Sequence, residues 1–114
     1  MIEEAEKFLE RLEGKRAEST VKSHRSNLRA FSKFIDKTGI EPLDLDWIDL
    51  EDFLEGQKAE GYSNHTVRNR YVSVRMLYSR LEKKEVIDEN PADRVKIGDI
   101  VDRTNKRKER DGEE

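Results

Sequence analysis

Apolar residues recur every three or four positions along most of this chain, and that spacing places them on one face of an α-helix. The longest stripe, from Val21 to Ile35, predicts a helix over about residues 18–37. His24 falls on this stripe, which favours a packed histidine over a ligand. Gly39 follows the helix, and glycine suits the left-handed position that closes many helices.

The same period predicts three more main helices. They cover about residues 2–13, 49–60 and 64–84. Tyr71 and Tyr78 lie on the apolar stripe of the last of these helices. Both tyrosines are therefore expected in the core rather than at a reactive surface.

Short polar residues mark where the helices begin, because their side chains accept hydrogen bonds from the free N–H groups of the first turn. Asp49 is interpreted as the cap of the third helix, after a lead-in that Pro42 keeps extended. Ser63 is interpreted as the cap of the fourth helix. Asn90, followed by Pro91, predicts the start of a short fifth helix.

The predicted fold class is all-α: a small four-helix bundle with a short fifth helix. Residues 1–102 are expected to form this single helical domain. Residues 103–114 contain no apolar side chain. Such a stretch has nothing to bury, so we expect a flexible charged tail or a linker there.

Charge is segregated along the chain, although the net charge is only −3 and charged residues make up 43%. Residues 15–37 carry seven Lys/Arg against two acids, and residues 61–84 carry six against one. Residues 41–60 reverse the balance, with eight acids against one Lys. The chain is therefore expected to have a polarised surface, and a polyanion responds to the local field rather than to the net charge.

Several kinds of chemistry have no residues to support them. The chain has no cysteine and two histidines, His24 and His65, so no metal site or other cofactor is predicted. No glycine-rich phosphate loop is present, and no apolar run is long enough to span a bilayer. We expect a soluble, cytoplasmic protein without a small-molecule substrate.

The two basic blocks repeat one motif 46 residues apart: TVKSHRSNLRAF begins at Thr20 and TVRNRYVSVRML begins at Thr66. In each helix the apolar stripe leaves cations and short polar side chains to face outward. Cations suit phosphates, and Ser, Thr and Asn suit phosphate oxygens or base edges. The predicted DNA-binding residues are Thr20, Lys22, Ser23, Arg25, Ser26 and Arg29 in the second helix and His65, Thr66, Arg68, Asn69, Arg70 and Ser73 in the fourth.

A family resemblance rests on STVKSHRSNLRAFSKF, an acidic third helix, GYSNHTVRNR and a closing ENPA, in that order. Together they resemble the N-terminal core-binding, SAM-like domain of tyrosine recombinases such as phage integrases and Xer-type recombinases. The resemblance covers roughly residues 1–97. One departure is Ala17, where the family often has a serine cap on the second helix; Ser63 keeps that cap on the fourth.

The resemblance implies a four-helix domain that clamps one face of duplex DNA while a separate catalytic domain holds the other. Carried over by position, the DNA-facing residues would be Thr20, Lys22, Ser23 and Ser26 with Thr66, Arg68, Asn69 and Ser73. The partners would be a double-stranded recombination half-site and other recombinase protomers. The chain ends at Glu114, where the family's catalytic domain would begin, so no strand cleavage by this chain alone is expected.

Two other functions remain open from the sequence. The basic faces could be ordinary solvated faces of a helical protein–protein interaction module whose acidic third helix or tail docks a partner. The chain could also be a free-standing fragment that regulates a recombinase by competing for its sites. Repetition of the motif and the acidity of the third helix favour DNA binding, because an ordinary surface would mix its signs.

Overall fold

The structure, a computed structural model, describes residues 1–101. These residues form α1 (Glu3–Leu12), α2 (Glu18–Thr38), α3 (Trp47–Ala59), α4 (Asn64–Lys83) and a one-turn α5 (Ile97–Ile100), with 3₁₀ turns at Pro42–Asp44 and Pro91–Arg94. No strand occurs within residues 1–101, which confirms the all-α class. The predicted tail, residues 103–114, lies outside the described residues.

The core lies between the four main helices, and aromatic rings occupy its centre. The rings of Phe31 and Phe53 meet edge to face with centroids 5.4 Å apart, and those of Phe31 and Tyr78 do so at 6.1 Å. These three side chains join α2, α3 and α4. Edge-to-face pairs add to the gain from apolar burial, so this triad helps to fix how the helices are arranged.

The two helices that carry the repeated motif, α2 and α4, pack against each other. Val21, Leu28 and Phe31 of α2 are buried, as are Val67, Val74 and Leu77 of α4. Since the apolar stripes face this shared core, the opposite sides of both helices face solvent.

The start of α3 differs from the prediction. The helix begins at Trp47 and its cap is Asp46, not Asp49. Asp46 Oδ1 accepts from the Asp49 N–H at 2.9 Å, and Asp49 Oδ2 accepts from the Asp46 N–H at 3.1 Å. Asp49 is thus the third residue of the helix and the second half of a reciprocal cap. The sequence has an aspartate at both positions, and the prediction that Asp49 is the cap was wrong.

Two proline segments also differ in detail from the prediction. Pro42 opens a 3₁₀ turn rather than holding the chain extended. The predicted fifth helix is divided into a 3₁₀ turn at Pro91–Arg94 and the separate α5. Asn90 is the cap, as predicted: its side chain accepts from the Ala92 N–H at 2.9 Å. The buried Asn90 amide also donates to the Arg75 carbonyl at 3.0 Å, which fastens this segment to α4.

Within residues 1–101, no helix combines the length and the apolar character needed to cross a bilayer.

Candidate nucleic-acid interface

The outer side of α2 carries five of the predicted residues at solvent-exposed positions. They are Thr20, Lys22, Ser23, Ser26 and Arg29. The helix begins at Glu18 although Ala17 offers no side-chain cap, so the departure at Ala17 does not displace the helix start. Lys22, Ser26 and Arg29 follow one another along a single exposed stripe of the helix, while Thr20 and Ser23 lie further around it.

The outer side of α4 carries His65, Arg68 and Asn69. His65 and Asn69 are exposed, and Arg68 is half-buried. The Asn69 amide nitrogen lies 3.1 Å from His65 Nε2, so these two side chains are held together one helical turn apart. They offer a fixed pair of polar groups rather than two independent ones.

Asn27 joins the two helices at their flanks. Its amide donates to the Asn69 carbonyl at 3.3 Å and to Ser73 Oγ at 2.9 Å. The contact lies beside the outer faces and not beneath them, because Asn27 is half-buried and Asn69 is exposed. The outer faces of α2 and α4 consequently adjoin where the helices cross.

Ser73 does not lie on the interface, and its prediction as a DNA-facing residue is corrected. Its exposed fraction is 0%, and its hydroxyl lies 2.8 Å from His24 Nδ1 as well as accepting from Asn27. Ser73 is buried because it lies on the flank of α4 where that helix crosses α2, and there it faces the polar groups of His24 and Asn27. His24 is packed as predicted, with its ring edge against Phe8 at 6.2 Å between centroids.

Two more of the predicted DNA-binding residues are less accessible to a ligand than expected. Arg25 is half-buried and its Nη2 lies 3.0 Å from Glu13 Oε2 of the α1–α2 connection. Thr66 belongs to the cap of α4: its N–H donates to Ser63 Oγ, and the two hydroxyl oxygens lie 3.1 Å apart. Both residues already have intramolecular partners, so either would have to exchange a contact to meet a ligand.

Two contacts hold the Arg70 side chain in place. Its guanidinium lies over the Tyr62 ring, 4.2 Å from the centroid, and Nη1 donates to Gln57 Oε1 of α3. Its Nε is buried and makes no hydrogen bond with the described residues. A guanidinium fixed by stacking loses less freedom on binding an anion than a mobile one.

A groove between α2, α3 and the start of α4 brings several predicted residues together. Ser26 and Arg29 line its α2 wall, and Arg70 lies at its α4 end. Lys33 and Lys37 extend the α2 wall, while Asp52 and Glu60 line the α3 wall. The groove therefore separates a basic bank from an acidic one. Lys22 and Arg25 lie elsewhere, around a second hollow beside the α1–α2 connection.

The cations of the outer faces are available for a ligand. Within the described part of the chain, ion pairs join Lys7 to Glu3, Arg25 to Glu13 and Arg75 to Asp93. Lys22, Arg29 and Arg68 take part in none of these pairs. Cations without an intramolecular carboxylate partner can exchange their counterions for phosphates.

Sequence reasoning missed Asn27, Lys33 and Val72. Asn27 was detectable, because the 46-residue repeat matches it to Ser73, and these two matched residues touch at the helix crossing. Lys33 continues the line of Lys22, Ser26 and Arg29 by one more helical turn. Val72 is apolar yet 41% exposed, and it was detectable as well, because it falls outside the period that joins Val67, Tyr71 and Val74.

In residues 1–101, no group of three or more His, Cys, Asp or Glu side chains is placed to hold a metal ion. The hydroxyls of Tyr71 and Tyr78 donate to the carbonyls of Ala92 and Pro42, at 2.9 and 2.6 Å. Burial raises the pKa of both phenols above the ordinary value. These two tyrosines are structural, as their place on the apolar stripe predicted.

Comparison with known proteins gives one family. Residues 5–85 match the family model described as the phage integrase N-terminal SAM-like domain. The match begins within α1 and runs past the end of α4, and hence includes both copies of the repeated motif. No solved structure matches the chain significantly.

Proposed function

Because the chain belongs to the phage integrase N-terminal SAM-like domain family, we propose that it is the DNA-binding module of a site-specific tyrosine recombinase or integrase. It clamps duplex DNA through the outer faces of α2 and α4. The double-stranded partner is a recombination half-site. The module does not cut DNA itself.

One observation carries this proposal: unpaired cations and short polar side chains share two adjoining helix faces. Lys22, Arg29 and Arg68 have no carboxylate partner among the described residues. Ser23, Ser26 and Asn69 lie among them and can bond to phosphate oxygens or base edges. The faces meet at the Asn27–Asn69 contact, so one duplex can touch both.

The non-catalytic role is supported by the tyrosines. A tyrosine nucleophile must reach a phosphate and lose its proton, but Tyr71 and Tyr78 are buried, bonded to carbonyls and raised in pKa. Tyr62 is exposed, but its ring lies under Arg70. We expect no covalent protein–DNA adduct on a nicked or intact site, and denaturing gel electrophoresis would detect one.

The test of DNA binding is the salt dependence of affinity for a short duplex, measured by fluorescence anisotropy. The wild-type chain should bind with a negative slope of log affinity against log salt. K22A and R68A should each reduce the slope by about 1, since each removes about one phosphate contact. K83A is the matched control, because Lys83 is exposed at the opposite end of α4; its slope should equal that of the wild type.

Absence of salt-dependent binding even at low salt would contradict the proposal and favour the protein-interaction alternative. Equal losses for K22A, R68A and K83A would indicate a general charge effect and no defined face.

A further inference from the structure

Val72 is an apolar side chain in the middle of a polar, basic surface. It belongs to α4 and is 41% exposed. Asn69 precedes it by three residues and Met76 follows by four, so both flank it on the same helix face. Among residues 1–101, six large apolar side chains are at least 38% exposed, and Val72 is the one that lies within α2 or α4.

The repeat assigns Val72 a definite place on the interface. The 46-residue shift that matches Thr20 to Thr66 and Lys22 to Arg68 matches Ser26 to Val72. Ser26 is exposed on the outer face of α2. Val72 thus occupies the corresponding outward position of α4, where its partner in the repeat is polar.

Folding does not account for an apolar residue at this position. The core side of α4 is made by Val67, Val74, Leu77 and Leu81, all at most 7% exposed. Val72 is also β-branched, which disfavours it slightly at an exposed helix site. An apolar group at the centre of a DNA-facing helix has one specific complement in the major groove, the C5-methyl group of thymine.

We propose that Val72 contacts a thymine methyl group in the major groove and makes the half-site dependent on a thymine at one position. The proposal rests on the function proposed above and deepens it by assigning base readout to an apolar residue. Around it, Arg68 and the His65–Asn69 pair bind phosphates or base edges and hold α4 in register. Phosphate contacts position the helix and carry no sequence information of their own.

The experiment begins with selection of preferred duplexes from a random library by the wild-type chain. Each thymine of a selected duplex is then replaced by uracil, which removes only the methyl group. At one position uracil should weaken wild-type binding about fourfold, as expected for one buried methyl group. The V72A variant should bind the thymine and uracil duplexes equally well.

Two variants make the result specific. V72I keeps an apolar contact and should retain the preference for thymine over uracil. V86A is the matched control, since Val86 is a similarly exposed valine, 46%, beyond the end of α4; it should behave as wild type. Circular dichroism and thermal unfolding confirm that each variant is folded.

The outcomes separate this inference from its premise. Salt-dependent binding with no sequence preference, or a thymine preference that survives in V72A, overturns the role of Val72 and leaves DNA binding intact. Failure of the wild-type chain to bind any duplex at low salt overturns both.

Discussion

Two adjacent residues of α4 have the opposite solvent exposure from that expected for their residue types. Ser73 is fully buried and Val72 is 41% exposed. The buried serine is tolerated because Asn27 and His24 reach its hydroxyl, and a buried polar group costs free energy mainly when it lacks a partner. Residue type alone therefore misassigns both positions, whereas the neighbours of each residue explain them.

Replacing Ser73 tests this polar cluster. S73A removes the oxygen that the Asn27 amide and His24 Nδ1 contact, and leaves part of their hydrogen-bonding capacity unused. We expect the free energy of unfolding, measured in urea, to fall by about 1–3 kcal/mol. S23A is the control, because Ser23 is an exposed serine of α2; it should change stability by less than about 0.5 kcal/mol. Equal effects would contradict a structural role for the cluster.

His24 gives the fold a pH dependence. Burial, with a smaller contribution from Arg16, lowers the pKa of His24 below its ordinary value of 6.5. The folded chain thus disfavours the charged imidazole, and the unfolded chain binds the proton more readily. The contribution of His24 to the free energy of unfolding is therefore fully present above the unfolded pKa. It is lost as the pH decreases below 6.5.

The measurement is the urea midpoint from about pH 7.5 down to about pH 5.5, above the main carboxylate titrations. H24Q should flatten this dependence. H65Q, which alters an exposed histidine, should not. A wild-type midpoint that rises on acidification would show that the sign of the shift is wrong.

The exposure of most candidate residues could be predicted from the sequence because it follows from the helical period. Thr20, Lys22 and Ser26 are exposed as the stripe of α2 requires. Arg25, Thr66 and Arg70 face outward in the pattern but are engaged by Glu13, Ser63 and Gln57. Glu13 and Gln57 lie in other segments, and a one-dimensional pattern does not show such tertiary contacts. The bond between Thr66 and Ser63, by contrast, follows from the predicted cap at Ser63.

At the scale of elements, helix existence was predictable and helix ends were less so. The stripes gave α1, α2 and α4 to within one or two residues, because long apolar periods have no competing interpretation. The start of α3 was wrong by two residues, since Asp46 and Asp49 both make good caps and the structure uses them together. The predicted fifth helix is interrupted at Val95, whose backbone is extended and whose side chain is buried in the core.

The N-cap residues of α2 and α4 occupy matched positions of the repeat but differ in type, and this difference predicts how each cap affects the stability of the chain. Ala17 has φ −59° and ψ 146°, and Ser63 has φ −68° and ψ 159°, so a serine fits the backbone at 17. A17S should stabilise the chain by about 1 kcal/mol, and S63A should destabilise it by about 1 kcal/mol.

Thermal unfolding measures both changes. A17G serves as the comparison for A17S, because glycine also suits a cap position but offers no side-chain acceptor. If A17S and A17G have the same thermal stability, then the side-chain hydrogen bond that Ala17 cannot make is not what weakens the first turn of α2.

For the whole molecule, charge is arranged by helix rather than spread evenly. The outer faces of α2 and α4 are basic, while α3 carries exposed acids, among them Asp52 and Glu55. The acidic wall of the groove lies opposite Arg29 and Lys33. On the proposed function, this acidic wall repels the phosphate backbone and limits how the duplex can lie across α2 and α4.

Neutralising that wall should therefore strengthen DNA binding at low salt. Each carboxylate roughly 10 Å from a phosphate costs about 0.4 kcal/mol in water, so D52N/E60Q should raise affinity about fourfold. The gain should disappear at high salt, where charges at that distance are screened. D88N/E89Q makes the same change of two charges on the exposed loop before Asn90, away from the groove. If both double variants gain equally, net charge alone governs affinity; a gain confined to D52N/E60Q means that the acidic bank orients the duplex.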